Sequence, residues 1–239
     1  MLVKIITIVI IISIIILSIY YLIKNKEYLT LKTYSNSFLN DNKNILLFTM
    51  YNIHERNSMT NNILNYYVND LKFPKERLFI VDSSNNGVDT NLINKENQVI
   101  FDQNKYFKQK LGSTQYELLS LNKFIENKYN IIKNYKYLIK ITCKYKLPDL
   151  LNSNLSNVNN SLIIQENKWK SLNRTNTEII GFKIDHIKYI INLLNNESDI
   201  LEIRLKKIIN KNNLSIIHFN SFKNLANYKR GAGDILNYL

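Results

Sequence analysis

Several short stretches of this chain put chemistry-bearing side chains where a fold can use them. Asp82-Ser83-Ser84 follows the apolar run Leu78-Phe-Ile-Val81 and opens a string of loop formers ending at Gly87. A carboxylate at the point where a strand gives way to a loop can hold a ligand hydroxyl or a cation, or it can cap the turn itself. Lys140 interrupts the apolar stretch Tyr137-Leu-Ile-Lys-Ile-Thr-Cys143, and Thr142, Lys144 and Tyr145 follow it closely. A buried lysine costs several kcal/mol, roughly, unless an anion meets it. The alternative is a strand with one wet face, because Leu138, Lys140, Thr142 and Lys144 share a side. Tyr145 offers a ring for stacking, with core packing as its ordinary use.

Three further positions carry charge in suggestive places. Glu117 ends the capping-box pattern Thr114-Gln-Tyr-Glu117, which by itself explains an acidic residue there. Glu178 precedes the apolar pair Ile179-Ile180 and is either a general base or a solvated strand-edge carboxylate. Arg230-Gly-Ala-Gly-Asp234 sets a cation beside two of the five glycines in the chain, as a loop closing over phosphate would, or as a tail. His54 follows the first apolar run; the three histidines are scattered and give no metal-ligand spacing.

The elements that must position these groups alternate between two periodicities. Ile45-Leu-Leu-Phe-Thr-Met-Tyr51, Leu78-Phe-Ile-Val81, Gln98-Val-Ile-Phe101 and Tyr137 to Cys143 read as buried strands. Ser161 to Gln165, Thr177 to Phe182 and Leu214 to Phe219 read as three more. Helical spacing predicts helices over residues 55–68, from Thr114 onward, over 185–194 and over 199–210, the last with a second capping box in Asp199-Ile-Leu-Glu202. Pro148 suits the first turn of a short helix. Strands alternating with helices predict an α/β fold: one domain with a mostly parallel central sheet flanked by helices. No G-x-G-x-x-G and no Walker loop occurs, which argues against a standard dinucleotide or ATP site.

Ahead of this domain, residues 5–23 carry no charge and are dominated by isoleucine. A run of that length covers roughly 30 Å of hydrocarbon as a helix, is longer than a signal-peptide core and lacks a small-residue cleavage site. The expected organisation is therefore a short flank over 1–4, one N-terminal transmembrane helix over 5–23, a stem over 24–44 and a single catalytic-type domain over 45–239. Lys24, Lys26 and Lys32 against Lys4 lean weakly towards a cytoplasmic domain, while sequons at Asn154, Asn159, Asn173, Asn196 and Asn213 would suit a lumenal one.

The formal net charge of +13 implies attraction to anions. Its lysines are spread along the chain without clustered basic and aromatic stripes, so no nucleic-acid partner is expected. A single cysteine, Cys143, excludes an intrachain disulfide and a cysteine zinc cluster.

The order of segments resembles a family of glycosyltransferases of bacterial surface-polysaccharide loci and large DNA viruses, related to lipopolysaccharide core assembly and GT-A-like in fold. The resemblance lies in Ile80-Val-Asp-Ser-Ser84, Tyr116-Glu-Leu-Leu-Ser120, Tyr137 to Tyr145, Thr177 to Phe182, Glu202 to Ile208 and Arg230 to Asp234, and covers about residues 45–239. Where the family reads Lys-Ile-Thr-Gly-Arg-Tyr, this chain has Cys143 and Lys144; lysine keeps the charge but not the bidentate fork of arginine.

The resemblance implies an enzyme that transfers a sugar from a nucleotide-sugar donor to a glycan or glycolipid acceptor, with the membrane as a partner through the N-terminal helix. It implies donor binding by Asp82, Ser83, Ser84, Lys140, Thr142, Lys144, Tyr145 and Arg230, and catalytic candidates in Glu178 and Glu117. Many GT-A enzymes hold Mn²⁺ or Mg²⁺ with Asp-x-Asp, which this sequence lacks. Either cations such as Lys140 and Lys144 meet the diphosphate without a metal, or a lone carboxylate suffices. The same gaps fit a second expectation, a degenerate membrane-tethered protein that binds glycan or nucleotide without turnover.

Overall fold

In the computed structural model, residues 17–18, 20, 42–106, 112–147, 159–165, 177–219, 229–230 and 234–235 are described. The expected anchor apart from residues 17–18 and 20, the expected stem apart from residues 42–44, the Pro148 turn and the pair Gly231 and Gly233 lie outside these residues. No helix of the described residues is long and apolar enough to cross a membrane.

The chain runs β1 (Asn44–Met50), α1 (His54–Asn65), β2 (Leu78–Asp82), β3 (Gln98–Ile100), α2 (Ser113–Ile132), β4 (Tyr137–Thr142), β5 (Leu162–Gln165), β6 (Ile179–Lys183), α3 (Ile184–Asn195), α4 (Leu201–Asn212), β7 (Ile216–Phe219), β8 (Lys229–Arg230) and β9 (Asp234–Ile235). One π-helical turn, Tyr66–Asp70, extends α1. The first seven strands form one sheet in the order β3-β2-β1-β4-β6-β5-β7, and β8 pairs with β9 separately.

Pairing is parallel between β1 and β2, β1 and β4, β2 and β3, and β5 and β7, and antiparallel on both sides of β6. So β6 alone is reversed in the large sheet, and the mostly parallel α/β sheet expected from the alternating pattern is observed. Strands and helices fall within a residue or two of their sequence-derived positions, except that the helix over 55–68 ends in the π-helical turn.

The sheet is buried on both faces, which is why its strands read as unbroken apolar runs. On one face Leu46, Phe48, Ile80, Ile139 and Ile141 pack with Ile63, Leu64 and Tyr67 of the α1 region. On the other Ile45, Leu47, Phe79, Leu138 and Ile180 pack with Leu118, Leu121 and Phe124 of α2 and Ile187, Ile190 and Leu194 of α3. Leu138 and Lys140 therefore face α2, and the wet-face alternative for β4 is overturned: Lys140 is 0% exposed. Gly181 of β6 sits where a Cβ would come 2.7 Å from Ile163 Cβ, so only glycine fits between β4 and β5 there.

Neither capping box forms. The N-cap of α2 is Gly112, and the Thr114 hydroxyl inside the helix instead accepts the Leu201 amide at 3.0 Å, capping α4. Ile200 is the N-cap of α4, and Asp199 pairs with Lys207. Local pattern was right for helix starts and wrong for partners, because tertiary donors outcompeted the local ones. The Tyr67 phenol donates to the Tyr145 carbonyl at 3.1 Å and accepts the Leu147 amide at 3.2 Å, fastening the segment after β4 to the end of α1.

Candidate functional site

Parallel strands deliver their carboxyl ends to one rim of the sheet, and ligands of open α/β sheets sit outside that rim. A cleft of about 320 Å³ opens there. Thr49, Met50 and Tyr51 at the end of β1, Ser83 after β2, and Thr142, Cys143 and Lys144 at the end of β4 form one side of its lining. Helix α1 contributes Arg56, Met59 and Thr60, and the first turns of α2 contribute Ser113, Tyr116, Glu117 and Ser120. The α2 N-terminus, whose N-cap Gly112 has no side chain to cap it, adds the positive end of a helix dipole.

Asp82 lies below this lining and is fully buried. Its Oδ1 accepts the Asn52 and Ser84 amides at 3.0 and 3.1 Å. Its Oδ2 accepts the Asn86 and Gly87 amides at 3.0 and 2.7 Å, and the Ser84 hydroxyl bridges both oxygens at 2.8 Å. A buried carboxylate needs such donors to offset its desolvation, and here they build the 84–87 loop. Gly87 adopts φ +68°, a conformation that glycine takes without strain. The geometry is that of the turn-organising alternative. Ser83 lines the cleft, and its hydroxyl donates to Gln103 Oε1 at 2.8 Å; the Ser84 hydroxyl, turned to Asp82, also lies 3.0 Å from the Asn52 carbonyl.

Lys140 is one layer beneath the cleft. Its ammonium pairs with Glu117 Oε1 and donates to Thr142 Oγ1 at 3.1 Å and to the Thr177 carbonyl at 2.7 Å. Glu117 is 23% exposed and does line the cleft, as do Thr142 and Lys144. Tyr145 is buried in the core on the α1 side, its carbonyl held by Tyr67. Glu178 is half-buried and outside the lining; its carbonyl accepts the Thr142 amide at 2.9 Å across the β4–β6 pair. Arg230 is placed by its backbone in the β8–β9 ribbon, opposite Asp234. His54 opens α1 on the surface, and His186 Nδ1 bonds the Ser161 hydroxyl at 2.9 Å.

Thus the structure brings Ser83, Glu117, Thr142 and Lys144 to one cleft, supports them from below with Asp82 and Lys140, and sets Tyr145 and Glu178 apart from its described lining; of Arg230 only the backbone pairing is described. Thr49, Tyr51, Arg56, Gln103, Ser113 and Ser120 were not foreseen. The readable signal for several of them was position alone: the residues just past an apolar strand, and the first turn of the helix that follows.

Burial pushes the Cys143 thiol well above its ordinary 9.0, and the charge of Asp82 adds to the effect. It lines the cleft as a small apolar group where the resembled family has glycine.

A Mn²⁺ or Mg²⁺ ion prefers several oxygen ligands, usually with more than one carboxylate. The described lining offers only the Glu117 carboxylate, Asp82 is committed to backbone amides, and no group of three histidine, cysteine, aspartate or glutamate side chains gathers among the described residues. These residues do not fit a protein-held divalent cation.

No family model matches the chain, and no curated protein is similar to it. Among solved structures it is similar to a glycosyltransferase involved in glycosylation of the major capsid of PBCV-1, at 10% identity over 74% of this chain and 81% of that one, TM-score 0.47. It is also similar to the inositol-1-phosphate CTP transferase of T. maritima, at 14% identity over 77% and 87%, TM-score 0.46. A third is the glycosyltransferase GlyE of Streptococcus pneumoniae TIGR4, at 8% identity over 74% and 45%, TM-score 0.43. Likeness of this degree assigns no activity; the residues of the cleft must supply the argument.

Proposed function

We propose that this protein is a membrane-anchored glycosyltransferase of the GT-A-like kind, moving a sugar from a nucleotide-sugar donor to a glycan or lipid-linked acceptor. The observation that carries the reading is the polarised cleft at the carboxyl rim of the sheet. Cations from Arg56 and Lys144 line it, as does the Glu117 carboxylate among the hydroxyls of Ser113, Tyr116 and Ser120. A donor of this class has the matching halves: a diphosphate that seeks cations, and sugar hydroxyls that seek acceptors.

In the transfer, the bond between the sugar's anomeric carbon and the diphosphate oxygen breaks, and a bond to the acceptor oxygen forms. The diphosphate leaves with the electron pair, and the acceptor's proton passes to a base. Lys144 and Arg56 stabilise the charge growing on the leaving group, a role that is strongest in a site shielded from water. Glu117, the one carboxylate of the described lining, and Glu178, outside that lining at the start of the β6 segment, are the two candidates to receive the proton. The apolar run over 5–23 supports tethering at a membrane, which suits a lipid-linked acceptor.

The test is a thermal-shift screen of the full chain in detergent against UDP-, GDP- and CMP-sugars, with and without Mn²⁺, followed by assay of nucleotide release. Stabilisation by one donor class with release of its nucleotide is expected. If no nucleotide sugar shifts the melting temperature, the reading falls. Binding without release would favour the tethered binding protein, the reading to which the missing Asp-x-Asp points.

A further inference from the structure

A lysine ammonium has three N–H donors and no acceptor. At Lys140 all three have protein partners: the Glu117 carboxylate, Thr142 Oγ1 and the Thr177 carbonyl. The side chain is 0% exposed and does not reach the cleft surface. Such an ammonium has no donor left for a phosphate oxygen, and exposing it would break the contacts that compensate its burial.

Its partners divide by position. The Thr177 carbonyl lies two residues ahead of β6, whereas Glu117 and Thr142 both line the cleft. An ionised carboxylate only accepts hydrogen bonds, so the ligand groups it receives must be donors, and a phosphate beside it would meet like charge. The hydroxyl-rich wall of α2 stands next to it.

We infer that Lys140 is a positioning residue: its ammonium fixes Glu117 and Thr142 at the floor of the cleft, and Glu117 receives a pair of neighbouring hydroxyls of the donor's ribose or sugar. The donor's anion goes to the side of Lys144 and Arg56. The inference rests on the nucleotide-sugar reading above and adds which part of the donor each end takes. It replaces direct contact between Lys140 and the diphosphate, and, with Glu117 engaged by donor hydroxyls, it leaves the acceptor's proton to a base other than Glu117.

The test compares the full-length wild type with Lys140→Met, Glu117→Leu and the double variant, in urea unfolding and in calorimetric titration with pyrophosphate and the nucleotide-sugar panel. Breaking a buried pair by removing one partner is far more damaging than replacing both with apolar groups. Lys140→Met is therefore expected to lower the unfolding constant's favour for the native state by tenfold or more, and the double variant to regain most of that loss.

In the double variant, which keeps the measurement possible if the single one fails to fold, pyrophosphate affinity is expected within threefold of wild type while nucleotide-sugar affinity falls tenfold or more. Where Lys140→Met folds, its loss of nucleotide-sugar affinity should match that of Glu117→Leu and not add to it. Additive effects on unfolding, or a tenfold loss of pyrophosphate affinity on replacing Lys140, would overturn the inference. If the wild type binds neither pyrophosphate nor any nucleotide sugar, the transferase reading fails, and the unfolding cycle still decides whether Lys140 positions Glu117.

Discussion

The Gly87 amide donates to Asp82 Oδ2 at 2.7 Å, closing the loop that follows β2 around a carboxylate with no exposed surface. Three other backbone amides and the Ser84 hydroxyl converge on the same group.

Asp82→Asn is the sharpest test of that arrangement. The amide keeps one acceptor oxygen and turns an NH₂ towards backbone donors. Hydrogen bonds to a charged group are worth about 1.5–3 kcal/mol each, so the variant should lose about 2–4 kcal/mol of stability in urea unfolding. A loss under about 1 kcal/mol would mean that the loop does not depend on the charge.

Thr114→Val removes the acceptor for the Leu201 amide at near-constant volume. The expected cost is about 1 kcal/mol, the usual value of an N-cap side chain. Hydrogen exchange in the first turn of α4 should quicken while that of α2 does not. Equal exchange in both helices would show that the amide finds another partner.

Lys144→Ala should weaken donor and pyrophosphate binding by about tenfold, the loss of one charge-assisted contact. Lys144→Arg, which restores the residue of the resembled family, should bind at least as tightly as wild type because of its planar fork. Calorimetry at two salt concentrations checks this: wild-type affinity should fall with salt more steeply than that of Lys144→Ala.

Alkaline pH should destabilise the fold. Burial raises the Cys143 thiol above 9.0, and it pushes the Tyr137 phenol up from 10.0 to about 12 against the hydrogen bond to the Asn160 carbonyl. A group whose folded value is raised holds its proton longer in the native state. Its stabilisation is therefore complete below the unfolded value and drains away as pH climbs past it. Melting temperature should be flat between about pH 7 and 8.5 and decline between about pH 9 and 12. Iodoacetamide at pH 8.5 should leave folded Cys143 unmodified and label it in urea.

Much of this architecture was legible because its strands are buried on both faces. Leu78 to Val81 and Tyr137 to Ile141 read as strands without any knowledge of their neighbours, since only a doubly covered sheet needs unbroken apolar runs. Lys140 stood out by the same logic as the charge that breaks one. Glu117 was a candidate too, but its pairing with Lys140 was not legible. Glu117 carried a sufficient local explanation in the capping pattern, and only tertiary geometry shows that Thr114 turns to Leu201 and leaves the carboxylate to Lys140. Arg56 and Gln103 joined the cleft by chain folding alone, with nothing in their local sequence to single them out.

The Tyr67 phenol has a mechanical consequence. By gripping both the Tyr145 carbonyl and the Leu147 amide, it couples the tail of β4 to the end of α1. Lys144 directly precedes Tyr145 in that tail, whereas Arg56 stands in the first turn of α1, at the other end from Tyr67, and both line the cleft. Drawing the segment after β4 away from the α1 region would require breaking both of these bonds inside the core, so the backbone that presents Lys144 is tied down when the chain folds.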